Sequence, residues 1–274
     1  MNLGCKQKLK CVKEVDFGIY LAENDEERVL LPKKQVPAEV KIGDELEVFL
    51  YKDSKDRLIC TTNEPKITLG EVAFLEVLEV GRIGALLDWG LEKDLLLPYK
   101  EQVAKIKKGD VIPVALYIDK SSRLCATMKV YPYLKKNSPY NKEDRVKGFV
   151  YDTSENYGTY VIIDGCFSGR IPPHEFNPSL KYGDMIEARV TAVKEDGKLD
   201  LSIREKSYIQ IDADAEKIKE LIDNNNGILK LNDKSDSKLI REITGLSKNA
   251  FKRAVGRLLK NGYIEFKDDY IVKK

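Results

Sequence analysis

Between Arg145 and Glu205 the chain reads Tyr157-Gly158-Thr159-Tyr160, then Ile171-Pro172, then Tyr182-Gly183-Asp184, then Lys198-Leu199-Asp200-Leu201-Ser202. Alternating apolar and polar residues in short runs, broken by glycine turns, are the mark of half-buried strands. Gly183-Asp184 feeds the apolar run Met185–Val193, and Glu195-Asp196-Gly197 reads as a hairpin loop whose glycine supplies a positive φ. Strands this short and evenly spaced predict a small, partly open five-stranded barrel, with Tyr157 and Tyr160 on one exposed face.

The same plan occurs twice more upstream. With Tyr157, Gly158, Tyr160, Pro172, Gly183, Asp184 and Leu199 as a ruler, a shift of 74 residues gives Ile83, Gly84, Leu86, Pro98, Gly109 and Asp110, with Leu124 one residue off. A further 66 gives Phe17, Gly18, Tyr20, Pro32, Gly43, Asp44 and Leu58. In every copy the first ruler position precedes the proline by 15 residues, and the proline precedes the Gly-Asp by 11. Three matches in register define three related β units. Val15 to Leu21 reads as one alternating strand, and Asp53–Asp56 and Asp119–Ser122 read as hairpin loops.

On these residues the third unit resembles an S1-type RNA-binding domain, an OB-fold variant. It has the aromatic-Gly-x-aromatic strand, the Gly-Asp turn and the closing basic-x-x-Leu-Ser strand. Units one and two join it through the shared spacing. Pro32, Pro98 and Pro172 stand where that family often carries an RNA-contacting histidine, so that contact is not carried over.

Composition sets the bounds. The high charge and ordinary apolar content belong to a folded, soluble chain. No apolar run reaches the roughly 18 residues of a membrane span, and the start has no signal-peptide core, so a cytoplasmic location is expected. Five scattered cysteines argue against a disulfide framework. Cys60, Cys125 and Cys166 read as small core residues in apolar strands. The net charge of +2 divides unevenly: residues 214–274 hold 14 Lys and Arg against 10 Asp and Glu, leaving the rest at −2. The barrels lack a bulk field for nucleic acid, so any affinity there comes from local grooves and stacking.

The expected organisation is 1–63, 64–130 and 145–206 as barrels, 131–144 as an ordered linker with two prolines, and 207–274 as a C-terminal domain. In unit one, Phe17 and Tyr20 would point to opposite sides of a regular strand, but a local bulge or bend at Gly18 could bring them closer. They read either as a stacking platform, with Lys33, Lys34 and Arg57 as phosphate partners, or as one core ring and one covering Gly18. Unit two has Ile83 and Leu86 at these positions and is expected mainly to space or pack. Its Trp89 reads as readily as a buried strand end. Unit three offers Tyr157, Tyr160, Phe167, Arg170, His174 and Lys198 for RNA. His174, the one histidine in the chain, is either a base contact or an ordinary loop residue.

From Asp214 the period changes. Ala215, Ile218, Leu221 and Ile222 have helical spacing up to Asn224-Asn225-Asn226-Gly227, and Ile228–Leu231 reads as a strand. Ser235 or Ser237 caps a second helix through Thr244. Ser247 caps a third, whose apolar face is Ala250, Phe251, Ala254, Val255, Leu258 and Leu259. A hairpin turning at Lys267-Asp268-Asp269 closes the domain, so the fold expected is mainly β with a winged-helix end. Lys248, Lys252, Arg253, Arg257 and Lys260 lie off the apolar face of the third helix, the helix that enters the groove in a nucleic-acid binder. They could equally be a solvated face.

Three S1-like barrels and a winged helix together resemble the conserved virulence factor B (CvfB) family along essentially the whole chain. The resemblance implies an RNA-binding regulator of virulence gene expression. The leading expectation is therefore a non-catalytic, monomeric binder of single-stranded RNA with no cofactor and no membrane partner. Duplex nucleic acid is a further ligand expected for the winged helix. No metal-spaced cluster, phosphate loop or nucleophile motif supports a nuclease. A DNA-binding transcription factor and a protein-docking scaffold are the alternatives.

Overall fold

The computed structural model describes residues 1–24, 27–204, 207–232, 234–267 and 270–274. The chain forms two compact units, Met1–Ile203 and Arg204–Lys274.

The first unit repeats one strand plan three times. Strands β1 (Lys6–Val15), β2 (Gly18–Ala22), β3 (Arg28–Pro32), β4 (Glu45–Lys52) and β5 (Leu58–Thr61) close into a barrel of order β1-β2-β3-β5-β4. Next, β6 (Val72–Val80), β7 (Gly84–Asp88), β8 (Leu95–Pro98), β9 (Val111–Ile118) and β10 (Leu124–Thr127) form the equivalent sheet, β10-β9-β6-β7-β8. A second closed barrel, β11-β12-β13-β15-β14, uses β11 (Arg145–Ser154), β12 (Gly158–Ile163), β13 (Phe167–Ile171), β14 (Met185–Val193) and β15 (Leu199–Ser202).

The ruler residues have a common physical cause. Gly18, Gly84 and Gly158 have φ of 154°, 153° and 91°. A Cβ on them would lie 2.1, 2.2 and 2.0 Å from the carbonyl oxygens of Leu31, Leu97 and Ile171. No other residue fits where the second strand presses against the third. At the Gly-Asp turns, the carboxylates of Asp44, Asp110 and Asp184 accept the N–H of Lys41, Lys107 and Lys181 at 2.9, 2.9 and 2.8 Å. The glycine N–H groups donate to the carbonyls of Cys11, Val77 and Val150, where the first strand of each barrel slips by one residue. That bulge bends the strand so that it can pair on both sides.

Two expectations about the strands need correction. Val15 to Leu21 is not one strand: Val15 pairs with Gly18 across an Asp16-Phe17 turn, because Gly18 must cross the Leu31 carbonyl. Cys166 is half-buried in the turn between β12 and β13, where Asp164 and Gly165 take positive φ, whereas Cys60 and Cys125 are buried in strands. Burial pushes those two thiols up to about 12 and about 11.

Aromatic contacts fuse the three barrels. Phe49 and Tyr51 project from β4 onto Trp89, at ring distances of 5.8 and 6.2 Å. Trp89 is 3 % exposed and its Nε1 donates to the Lys93 carbonyl, so it is a buried strand end. Phe74 meets Phe149 edge-on at 5.2 Å, and Phe149 meets Tyr182 at 5.5 Å. Such pairs add about 0.5–1.5 kcal/mol each beyond the area they bury. The segment after β10 is no spacer. Tyr131–Tyr133 forms a 3-10 turn, Leu134 is buried against Phe149 and Ile162, and Lys135 exchanges backbone hydrogen bonds with Cys166 and Ser168.

The second unit packs α1 (Ser207–Asn224), α2 (Ser237–Thr244) and α3 (Lys248–Lys260) against a sheet of order β16-β18-β17, made of β16 (Ile228–Leu229), β17 (Ile264–Lys267) and β18 (Tyr270–Lys273). Its core is Ile218, Ile222, Leu231, Ile240, Phe251, Leu258 and Ile271, with their neighbours. Helix α1 starts before the expected Asp214. The α2 cap is Asp236 rather than a serine: its side chain accepts the Lys238 N–H. Ser247 caps α3 as expected, but Leu259 is turned partly to solvent. The residues expected to end the third barrel, Glu205 and Lys206, and those at the closing turn, Asp268 and Asp269, lie outside the described residues.

Candidate nucleic-acid interface

In barrel one the Asp16-Phe17 turn lifts Phe17 out of the strand, where it is 58 % exposed. Its ring stands edge-on to Tyr20 at 6.4 Å. Of the bulge or bend expected at Gly18 it is a bend, the hairpin turn Asp16-Phe17 beside it, that brings the two together. Tyr20 lies between Lys13 on β1 and Leu30 on β3. The Lys33 N–H donates to the Phe17 carbonyl at 3.0 Å, which sets that exposed lysine at the same end. Lys34 pairs with Glu92 at 3.4 Å. Arg57 is bound intramolecularly: its Nε and Nη2 donate to Asp53 at 2.9 and 2.6 Å, so its charge is already matched.

Barrel three uses the same positions differently. Tyr157 is 66 % exposed at the hairpin tip. Tyr160, half-buried, lies 6.0 Å from Tyr131 and 6.1 Å from Tyr151. A groove of about 630 Å³ opens beside it, lined among others by Tyr131, Arg170, Lys194, Lys198 and Asp200. Lys198 stands 5.5 Å from the Tyr131 ring centre and bonds Asp196 at 2.7 Å. That hydrogen bond raises the Lys198 pKa and lowers that of Asp196. Arg170 and Lys194 both face Asp200, at 3.6 and 3.4 Å. Arg170 Nε and Asp200 Oδ1 are shielded from water without a hydrogen-bond partner. The groove is thus aromatic and nearly charge-balanced.

Two expected partners fall elsewhere. Phe167 pairs with Ile163 on the inner face of the barrel and packs on its core, opposite Tyr160, because strand alternation puts Arg170 and Ser168 outward and Phe167 inward. His174 is exposed on the 3-10 turn Pro173–Glu175, beyond β13. Sequence reasoning missed Tyr131, Lys194 and Asp200. Tyr131 sat in an apparent linker, and only the folding of that segment onto β13 brings it to Tyr160.

Barrel two has no ring at Ile83 or Leu86. Ile83 is 71 % exposed, and Leu86 faces Glu79 and Leu96. On α3, Lys248 Nζ donates to the Ser235 carbonyl at 2.8 Å and Arg257 Nε to Asp212 at 2.7 Å. Lys252, Arg253 and Lys260 are exposed without an ion pair among the described residues. No group of three or more metal-ligating side chains occurs among the described residues, and none of their helices is long and apolar enough to cross a membrane.

The S1 domain model matches residues 3–63 and 69–129. The model for the second domain of virulence regulatory factor CvfB matches 132–205, taking in the segment that folds onto barrel three, and the CvfB-like winged helix domain matches 216–272. YitL of Bacillus subtilis is 32 % identical over 284 residues, covering 100 % of this chain and 94 % of that protein. The chain belongs to the CvfB family. Conserved virulence factor B of Staphylococcus saprophyticus is 28 % identical, across 82 % of this chain and 78 % of that protein. A crystal structure of a multidomain protein with nucleic acid binding domains from Streptococcus pneumoniae is 26 % identical, with a TM-score of 0.48, covering 99 % of this chain and 98 % of that one. By the family models, this CvfB-family chain combines two kinds of domain associated with nucleic-acid binding, S1 domains and a winged helix.

Proposed function

We propose that the protein is a non-catalytic, monomeric regulator of gene expression that binds single-stranded RNA across the hairpin ends of barrels one and three. Bases stack on Tyr20 and Phe17 in one barrel, and on Tyr160, Tyr131 and Tyr157 in the other. Lys33, Arg170 and Lys198 serve the phosphates. The names of the staphylococcal relatives connect this reading with virulence control. The observation that carries it is the repeat itself: two barrels hold large rings at the same exposed hairpin end, 58 % and 66 % exposed, where burial would otherwise be favoured. Rings held this way bind any base through its face, at about 1–3 kcal/mol per base.

Fluorescence anisotropy of the full chain with oligouridylate, across a salt series, tests this. Replacing Tyr20 and Tyr160 together by Ala is expected to weaken binding at least about tenfold in a chain that circular dichroism shows to be still folded. Unchanged affinity in the folded double variant would sink the reading.

A second reading, duplex binding by the winged helix, is favoured by the three uncommitted cations of α3. Lys252→Ala with Arg253→Ala in the full chain would then lower duplex affinity and leave oligouridylate binding nearly intact.

A further inference from the structure

Barrel two lacks rings at the two strand positions, yet it carries one at the same end of the fold. Tyr99 directly follows Pro98, as Lys33 follows Pro32 in barrel one. It is 50 % exposed, and its hydroxyl donates to the Gly81 carbonyl at 2.6 Å, which anchors the ring beside the β6–β7 turn. Next to it lies a groove of about 520 Å³ with an apolar floor of Val80, Val103 and Ile106. Lys105 lines this groove, and further cations lie close to it in the chain. Arg82, Lys100, Lys105, Lys107 and Lys108 are exposed, and none forms an ion pair among the described residues. Of the two carboxylates between β8 and β9, Glu101 is turned inward to Thr127 and Lys129 at 2.8 and 3.2 Å, and Asp110 accepts the Lys107 N–H at 2.9 Å.

We propose that Tyr99 is the base-stacking residue of barrel two, with Lys105 and its neighbouring lysines holding the phosphates on either side. The site has moved from strand to loop. On the strand, Leu86 offers no ring and Glu79 beside it repels phosphate. An anchored ring amid unmatched cations is the pairing that single-stranded nucleic acid requires. The inference rests on the RNA reading above and extends it to a third contact.

The test uses the full chain and an oligouridylate carrying 4-thiouridine, photocrosslinked and mapped by mass spectrometry. Adducts within Tyr99–Lys108 are expected, alongside those in barrels one and three. Tyr99→Ala should weaken binding about five- to tenfold, whereas Tyr99→Phe, which keeps the ring, should stay within about twofold. Adducts in barrels one and three but none in this segment would overturn the proposal and leave the RNA reading standing. So would a folded Tyr99→Ala chain that binds like the wild type. An oligoglutamate peptide that binds through Tyr99 while no RNA adduct forms there would make the patch a protein contact, and overturn it too. No RNA binding by the wild type at any salt concentration would bring down the underlying reading, and this proposal with it.

Discussion

Barrels one and three share a frame but not an environment. In barrel one the exposed Phe17 stands edge-on to the half-buried Tyr20, with Lys13 and Lys33 close by and no carboxylate bonded to either amine among the described residues. In barrel three Tyr160 is held between Tyr131 and Tyr151, and every nearby cation already faces Asp196 or Asp200. The cause is packing: the outer face of barrel three is partly covered by Val130–Leu134 and by Phe74 of barrel two. One site is therefore exposed and cationic, the other enclosed and balanced. On the proposed reading, identical strand positions give two binding modes, one more sensitive to salt and one resting more on ring contact.

The shared frame should break first. Gly158→Ala places a methyl 2.0 Å from the Ile171 carbonyl at a φ of 91°, and we expect a loss of about 3 kcal/mol or more in urea melts. Gly183→Ala has nothing within 4 Å and meets only the backbone cost of its φ of 98°, about 1–2 kcal/mol. Equal losses at the two positions would refute the close-approach explanation of the ruler glycine.

Next in size is Tyr131→Ala. It should lower RNA affinity by about 1–2 kcal/mol through barrel three alone, and add its full effect to that of Tyr20→Ala. A subadditive pair would mean that losing the contact in one barrel already releases the RNA from the other.

Charge changes should sharpen the contrast with a smaller effect. Asp200→Asn frees Arg170 and Lys194 for phosphate, so affinity should rise a few-fold and the salt slope should steepen by about 0.7 per phosphate engaged. Arg57→Ala in barrel one should alter affinity least, within about 0.5 kcal/mol, because its guanidinium is already bound to Asp53. A large loss there would show that Arg57 leaves Asp53 on binding.

The sequence by itself determined the strand plan and its threefold repetition. A glycine at a forced φ, an aspartate closing a turn and a proline ending a strand are local demands, and local demands leave regular spacings. The α3 cap and the buried Phe251, Ala254, Val255 and Leu258 were legible for the same reason, since helical periodicity is written along the chain. The surroundings of each ring were decided by tertiary structure alone. Tyr131 reaches Tyr160 because a proline-containing segment folds onto β13, and Phe167 turns inward through the pairing register of β12 and β13. Lys248 is occupied by the Ser235 carbonyl, a partner that only the fold brings near. Contacts between residues far apart in sequence depend on how surfaces pack, and packing leaves no spacing to read.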